Sequence, residues 1–170
     1  RDEWERKLFG GDYHHHLLIA SERPKYAALN VGRHANGSAH DYGCCYLVFK
    51  PGARQRATFT PSDSSGASQY SVGTIDHFEQ VLLQRQDLKT IFEIALANGK
   101  RGGSGYGDYV EVQLHGPGEF SKDFSGRVIH TGFRKTPYEA KLRAFAAKHH
   151  LEISWHDDVK VTTDEGKVVD

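Results

Sequence analysis

The octapeptide YVEVQLHG, Tyr109 to Gly116, gathers side chains able to do chemistry into one short stretch. Successive side chains leave an extended strand on opposite sides. Val110, Val112 and Leu114 therefore share one face, and Tyr109, Glu111, Gln113 and His115 share the other. A carboxylate, a carboxamide and an imidazole at this spacing stand about 6 to 7 Å apart per step, within reach of one small ligand. The apolar face is expected in a core and the polar face open to a ligand, although a strand with one solvated side has the same pattern. Glycines in GKRGGSGYGD before the strand and GPG after it let the backbone approach a ligand closely. A carboxylate opposite an amide suits a reaction in which positive charge develops on a sugar. The anion stabilises an oxocarbenium-like carbon while the amide orients a hydroxyl, as in glycosyl transfer or hydrolysis.

Other groups could complete such a site. Thr58, Thr60, Ser62, Asp63 and Ser64 form a hydroxyl-rich segment able to hydrogen-bond a ribose, or an ordinary surface loop, since Ser and Asp favour turns for local backbone reasons. Arg23 could hold a phosphate bidentately with Tyr26 stacking on a ring, or stand exposed before a strand. Arg54 and Arg56 allow the same two readings. His14, His15 and His16 point in different directions on any regular backbone and make a poor tetrahedral set, so no metal is expected. GGSGYG at 102–107 is too generic for a phosphate loop, and no GxGxxG between strand and helix, GxxxxGK[ST] or GxSxG motif occurs.

The elements that must position these groups follow from the pattern. Asp2 to Phe9 reads as a helix ended by Gly10-Gly11, and Tyr26 to Val31 as extended after Pro24. Cys44 to Lys50 is an apolar run of the central-strand type, and Arg54 to Thr60 alternates as a second strand. A helix from a cap at Thr74 or Asp76 through Gln84 precedes one from Leu88 to Ala97, capped by Asp87 and stopped by Asn98-Gly99. Short strands are expected at Glu119 to Phe120 and Arg127 to Thr131. A helix from Pro137 to Lys148 carries a Tyr138, Leu142, Phe145 stripe, and Leu151 to His156 is a closing strand. Trp4 and Trp155 are read as packing residues. The order does not alternate regularly, so the expected class is α+β, a mixed and mostly antiparallel central sheet with flanking helices. One domain over 1–160 is expected, with a polar tail over 161–170.

At 170 residues the chain can bury about 70% of its unfolded surface without a staple. Lys plus Arg number 22 and Asp plus Glu 22, so there is no global field for nucleic acid or an anionic membrane. The two cysteines, Cys44 and Cys45, are neighbours and build neither a zinc site nor a disulfide framework. With no apolar run of about 18 residues, the chain reads as soluble. It contains no methionine, which we read as a fragment or processed form with part of the site upstream.

The blocks DEWERKLFGGDY, RPKYAALN, YGCCYLVFK followed by RATFTPSDSS, YVEVQLHGPGEF and LRAFAAKHHLEISWH together resemble a bacterial domain-of-unknown-function family. More loosely, their order resembles the mono-ADP-ribosyltransferases, in which an early Arg or His, a strand with Ser or Thr and a late strand Glu surround NAD. That resemblance implies an ADP-ribosyltransferase-like fold, with Arg23, the Thr58 to Ser64 block and Glu111 in the three places. One departure stands: those enzymes often carry Gln or Glu two residues before the catalytic Glu, whereas here Tyr109 precedes Glu111 and Gln113 follows it.

The first expectation is thus an NAD-using mono-ADP-ribosyltransferase or NAD glycohydrolase of a bacterial toxin or effector, acting in the bacterial cytoplasm or after delivery into a target cell. Glu111, Gln113 and His115 would be catalytic; Arg23, Tyr26, Thr58, Thr60, Ser62, Asp63 and Ser64 would bind NAD. The acceptor would be protein or nucleic acid, an immunity or inhibitor protein is a conceivable partner, and no membrane partner is expected. The alternatives are a metal-dependent nuclease or phosphodiesterase using Asp63, Glu111 and His115 around Mg²⁺, and a non-catalytic binding module.

Overall fold

The computed structural model describes residues 1–14, 19–66, 71–97, 109–157, 161–162 and 168–169. His15, His16, the Asn98-Gly99 helix stop, the 102–107 glycine segment and most of the tail lie outside the described residues.

Helix α1 (Asp2–Phe9) ends at Gly10, whose φ of 62° is the left-handed conformation that closes a helix without a Cβ penalty. Strand β1 (Lys25–Leu29) follows Pro24, then β2 (Tyr46–Phe49), β3 (Ala57–Thr60) and β4 (Gly73–Thr74). Helices α2 (Glu79–Leu83) and α3 (Leu88–Ala97) precede β5 (Val110–Leu114). Then come α4 (Phe120–Asp123), β6 (Phe124–His130), α5 (Pro137–His149), β7 (Glu152–His156), and the paired strands β8 (Val161–Thr162) and β9 (Val168–Val169). Proline at the start of α5 needs no N–H there, and His150 in the left-handed region ends the helix, its N–H bonding Ala146 and Ala147.

The class is α+β, as the irregular element order implies, and the strands divide into open sheets in which antiparallel pairing dominates. The expected single central sheet is instead a four-stranded sheet, order β1-β5-β3-β4, and a three-stranded one, order β2-β6-β7. The first is wholly antiparallel. In the second, β6 and β7 run parallel because α5 carries the chain back across the sheet between them.

Several local readings need correction. Residues 44–50 do not make a central strand: β2 is the outer strand of the smaller sheet, and its Leu47 and Val48 are exposed. Arg54 and Arg56 lie in a 3-10 turn (Pro51–Arg56) that Pro51 opens, so the strand starts only at Ala57. Residues Phe120–Asp123 turn helically rather than extend, held by the Asp123 carboxylate accepting the Glu119 N–H at 2.7 Å. Asp87 bonds the Arg85 guanidinium at 2.7 Å rather than capping α3 with its side chain.

The core lies on one face of the four-stranded sheet. Ala57, Phe59, Val110 and Leu114 project from it and meet Ala53 and Val81, with Phe49, Ile75, Phe78 and Val112 packed around them. Phe59 and Phe78 meet edge to face at 5.2 Å. The approach of α2 to β4 demands glycine at position 73, because a Cβ there would stand 2.5 Å from Val81 Cγ2 and 3.2 Å from the His77 carbonyl oxygen.

Gly73→Ala is accordingly expected to destabilise the fold by about 1–3 kcal/mol through overpacking. The check is a lowered urea midpoint at unchanged m-value; an unchanged midpoint would mean that α2 yields freely.

Candidate functional site

β5 is central to its sheet, with β1 on one side and β3 on the other, so every polar side chain on its second face has neighbours on both flanks. Gln113 faces Tyr26 across one pairing and Thr58 across the other; Glu111 faces Ala28 and Thr60. The alternation places Glu111, Gln113 and His115 together, as the sequence implies. The face is not open along its length, however: Gln113 and Thr60 are 0% exposed and Glu111 5%.

A continuous hydrogen-bond chain satisfies these groups. Gln113 Nε2 donates to Glu111 Oε1 at 2.8 Å and to Thr60 Oγ1 at 2.9 Å, and Thr60 Oγ1 donates to the Ser62 carbonyl at 2.9 Å. Thr58 Oγ1 donates to Gln113 Oε1 at 3.0 Å and lies 2.8 Å from His115 Nε2. The Tyr13 hydroxyl meets His115 Nδ1. Since Thr58 has one proton and directs it to Gln113, His115 Nε2 must be the donor to Thr58 and Nδ1 the acceptor from Tyr13. Burial pushes the imidazole pKa down, which favours the neutral ring with its hydrogen on Nε2. The ring is wedged edge-on against Phe9 at 5.2 Å and stacked on Tyr13 at 5.7 Å.

Glu111 completes its shell with the Ser64 N–H donating to Oε2 at 3.3 Å. Burial raises its pKa, and the hydrogen bonds from Ser64 and Gln113 offset this only in part. Among the described residues, no guanidinium or ammonium is bonded to it. Asp63 stands beside it in a different setting, accepting from the Ser65 N–H at 2.7 Å, Tyr42 at 2.8 Å and Tyr109 at 3.0 Å. Burial opposes ionisation of Asp63 too, but these donors outweigh it and lower its pKa.

Arg23 stands at the mouth of β1. Its guanidinium bonds Glu5 on α1, with Nε at 3.0 Å, and also Asp2. Glu5, 0% exposed, further accepts from Arg1 Nε at 2.6 Å and from the Tyr26 hydroxyl at 3.1 Å. Burial opposes its ionisation, yet these donors bring its pKa below the usual range. Burial, then the charges of Glu5 and Glu111, push the Tyr26 hydroxyl up. Glu5 and Tyr13 were missed in the sequence. The signal for Glu5 was its place four residues after Arg1, on the side of α1 that meets the RPKY turn.

A cleft of about 1970 Å³ is lined from the side of the four-stranded sheet by the core-face residues Phe59, Val112 and Leu114 as well as by Tyr26, Ser64, Tyr109 and Glu111, and from the smaller sheet by Tyr46, Phe124 and Arg127. The sequence-derived residues Tyr26, Asp63, Ser64 and Glu111 line it, whereas Arg23, Thr58, Thr60, Ser62, Gln113 and His115 stand behind its wall. Asp63, Glu111 and His115 do not gather around a common ion position; among the described residues no group of three His, Cys, Asp or Glu could hold a metal. No helix among them is long and apolar enough to cross a membrane.

This arrangement defines an α+β domain with a buried, hydrogen-bonded carboxylate at the wall of a cleft. The family described as "Protein of unknown function (DUF3626)" matches residues 1–104, and the chain belongs to it. No curated protein matches the chain. The match covers α1, the RPKY turn and the Thr58 to Ser64 segment, and stops short of β5.

The depressed pKa of His115 fixes a sign. The folded state keeps the ring neutral while the unfolded chain takes up a proton near 6.5, so the ring's contribution is whole above that pH and is lost as pH falls from 6.5 through the folded value. Relative to His115→Gln, wild-type unfolding free energy should fall in that interval. Parallel stability curves there would contradict the assignment.

Proposed function

We propose that the cleft binds NAD and that Glu111 promotes transfer of its ADP-ribosyl group to a macromolecular acceptor, as an ADP-ribosyltransferase-like domain. The observation that supports this best is a carboxylate lining the cleft whose donors among the described residues are neutral: Gln113 and the Ser64 N–H. Such an anion, poorly solvated and unpaired, gains most when positive charge appears beside it.

The reaction breaks the bond between ribose C1′ and the nicotinamide nitrogen, the electron pair leaving with nicotinamide. The acceptor's lone pair then attacks C1′ and the acceptor loses a proton. Glu111 stabilises the ribosyl cation and accepts the 2′-hydroxyl. Gln113 has both amide hydrogens and its oxygen committed within the protein, so its part is to fix the Glu111 rotamer. Thr58 and His115 in turn hold Gln113. Tyr26 and Tyr109 offer rings along the wall.

Arg23 serves the pyrophosphate from beside the cleft in this reading: it does not line the cavity itself, but it shares Glu5 with Arg1 and Tyr26, which do. Its buried link to Glu5 keeps the guanidinium in place, while its link to Asp2 is to a side chain 71% exposed. An exposed ion pair holds weakly, so phosphate oxygens can displace Asp2.

Two outcomes test this. Glu111→Gln should keep the fold and lose NAD turnover by about 100-fold or more, read with NAD labelled in the adenosine half and a cell lysate as acceptor source. Retained turnover in a folded variant rejects the role. Asp2→Ala should lower the KM for NAD a few-fold at unchanged kcat; a raised KM would show that Asp2 orients Arg23 instead.

A further inference from the structure

The wall of the cleft contributed by the smaller sheet carries a cation that the mechanism above does not use. Arg127 on β6 stands opposite Leu47 of β2 and Ile153 of β7, on the same side as Ile129. It is 5% exposed, and its Nε and Nη2 atoms have no hydrogen-bond partner. The Phe145 ring of α5 lies 5.3 Å from Cζ. A ring attracts the cation through its π face but offers the N–H groups no oxygen acceptor. Burial lowers the pKa of Arg127 with no carboxylate acting against it. Arginine nevertheless stays charged, and an isolated buried charge is strongly unfavourable.

Nε and Nη2 together form one edge of the guanidinium fork, the edge that accepts two oxygens of an oxyanion side by side. That edge belongs to a residue lining the cleft, beside Phe49, Phe124 and Phe145. Phe145, the ring against the guanidinium, is met edge to face by Phe120 at 5.0 Å, and Phe49 and Phe124, which also line the cleft, stack at 4.5 Å. The site therefore joins one fixed, unsatisfied cation to a flat apolar lining in a cavity far larger than a lone oxyanion.

We propose that Arg127 is the anchor of a nucleotide site: its Nε and Nη2 hydrogens bind a phosphoryl group, and the neighbouring aromatic walls take the attached base. The site does not depend on the chemistry assigned to Glu111, and stands whether or not NAD is cleaved.

The test is thermal unfolding of the full chain with ADP, AMP, adenosine or inorganic phosphate, alongside Arg127→Leu. ADP and AMP should raise the wild-type Tm while adenosine at equal concentration does not. Arg127→Leu should be at least as stable as wild type without ligand and should weaken ADP binding about tenfold or more. Equal stabilisation by adenosine and ADP overturns the proposal, and that arm needs no variant. So does an Arg127→Leu protein that is unfolded or less stable than wild type, which would mark a structural arginine, or one that keeps its ADP affinity. Phosphate alone acting as strongly as ADP would assign Arg127 to a free oxyanion and overturn the nucleotide site. Glu111→Gln should retain the ADP response, so failure of the glycosyl-transfer reading and failure of this one are separable.

Discussion

The polar network of the four-stranded sheet turns on β5 being covered on both faces and both edges. A strand in that position has no water to satisfy its side chains, so each polar group must find a partner inside the protein. Gln113 is the residue that makes this workable. Its amide spends two donors on Glu111 and Thr60 and its oxygen on Thr58, tying β5 to β3 through side chains as well as backbone. Removing that amide would strand Thr58, Thr60 and Glu111 together, which is why the chain of bonds behaves as one unit.

Two buried glutamates on the same side of the four-stranded sheet show what surroundings alone can do. Glu5 is held by Arg1, Arg23 and Tyr26 and stays ionised below the usual range. Glu111 is held only by neutral donors and is pushed the other way. The same side-chain type is thus driven in opposite directions by its neighbours, and the proposed function gives Glu5 a fastening role and Glu111 the chemistry. Tyr26 stands between them, its hydroxyl bonded to Glu5 and raised by both charges.

How far the sequence carried the structure depended on whether the deciding physics was local. The 109–115 alternation, the α1 stop at Gly10, α3 at Leu88–Ala97, and α5 from Pro137 were all legible, because periodicity, caps and proline act within one element. The standing of β2 was not: an apolar run looks the same at the edge of a sheet as at its centre, and only pairing decides. The number of sheets also depends on pairing, as does the covering of the polar face by α1 and the Ser64 turn. Alternation showed which side chains share a face but not that Gln113 would be sealed at 0% exposure. Arg127 was readable in principle as a lone charge within FSGRVIH on the Ile129 side, but a charged residue at a strand position is usually paired, and its lack of a partner appears only in three dimensions.

The two walls of the cleft carry opposite and complementary instabilities. On one side Glu111 holds a negative charge that burial disfavours; on the other Arg127 holds a positive charge that burial disfavours. Neither can relieve the other by pairing within the protein: the shell of Glu111 is filled by Gln113 and Ser64, and Arg127 sits on a different sheet beneath Phe145. Both residues line the cleft, so a ligand there that carries the opposite charge would relieve either one. Electrostatics thus favours a ligand that is itself divided, with an anionic group at one end and, at the other, a centre that becomes cationic only as it reacts. Under the proposed glycosyl transfer, charge at ribose C1′ arises only in the transition state, so Glu111 would contribute more to rate than to ground-state binding.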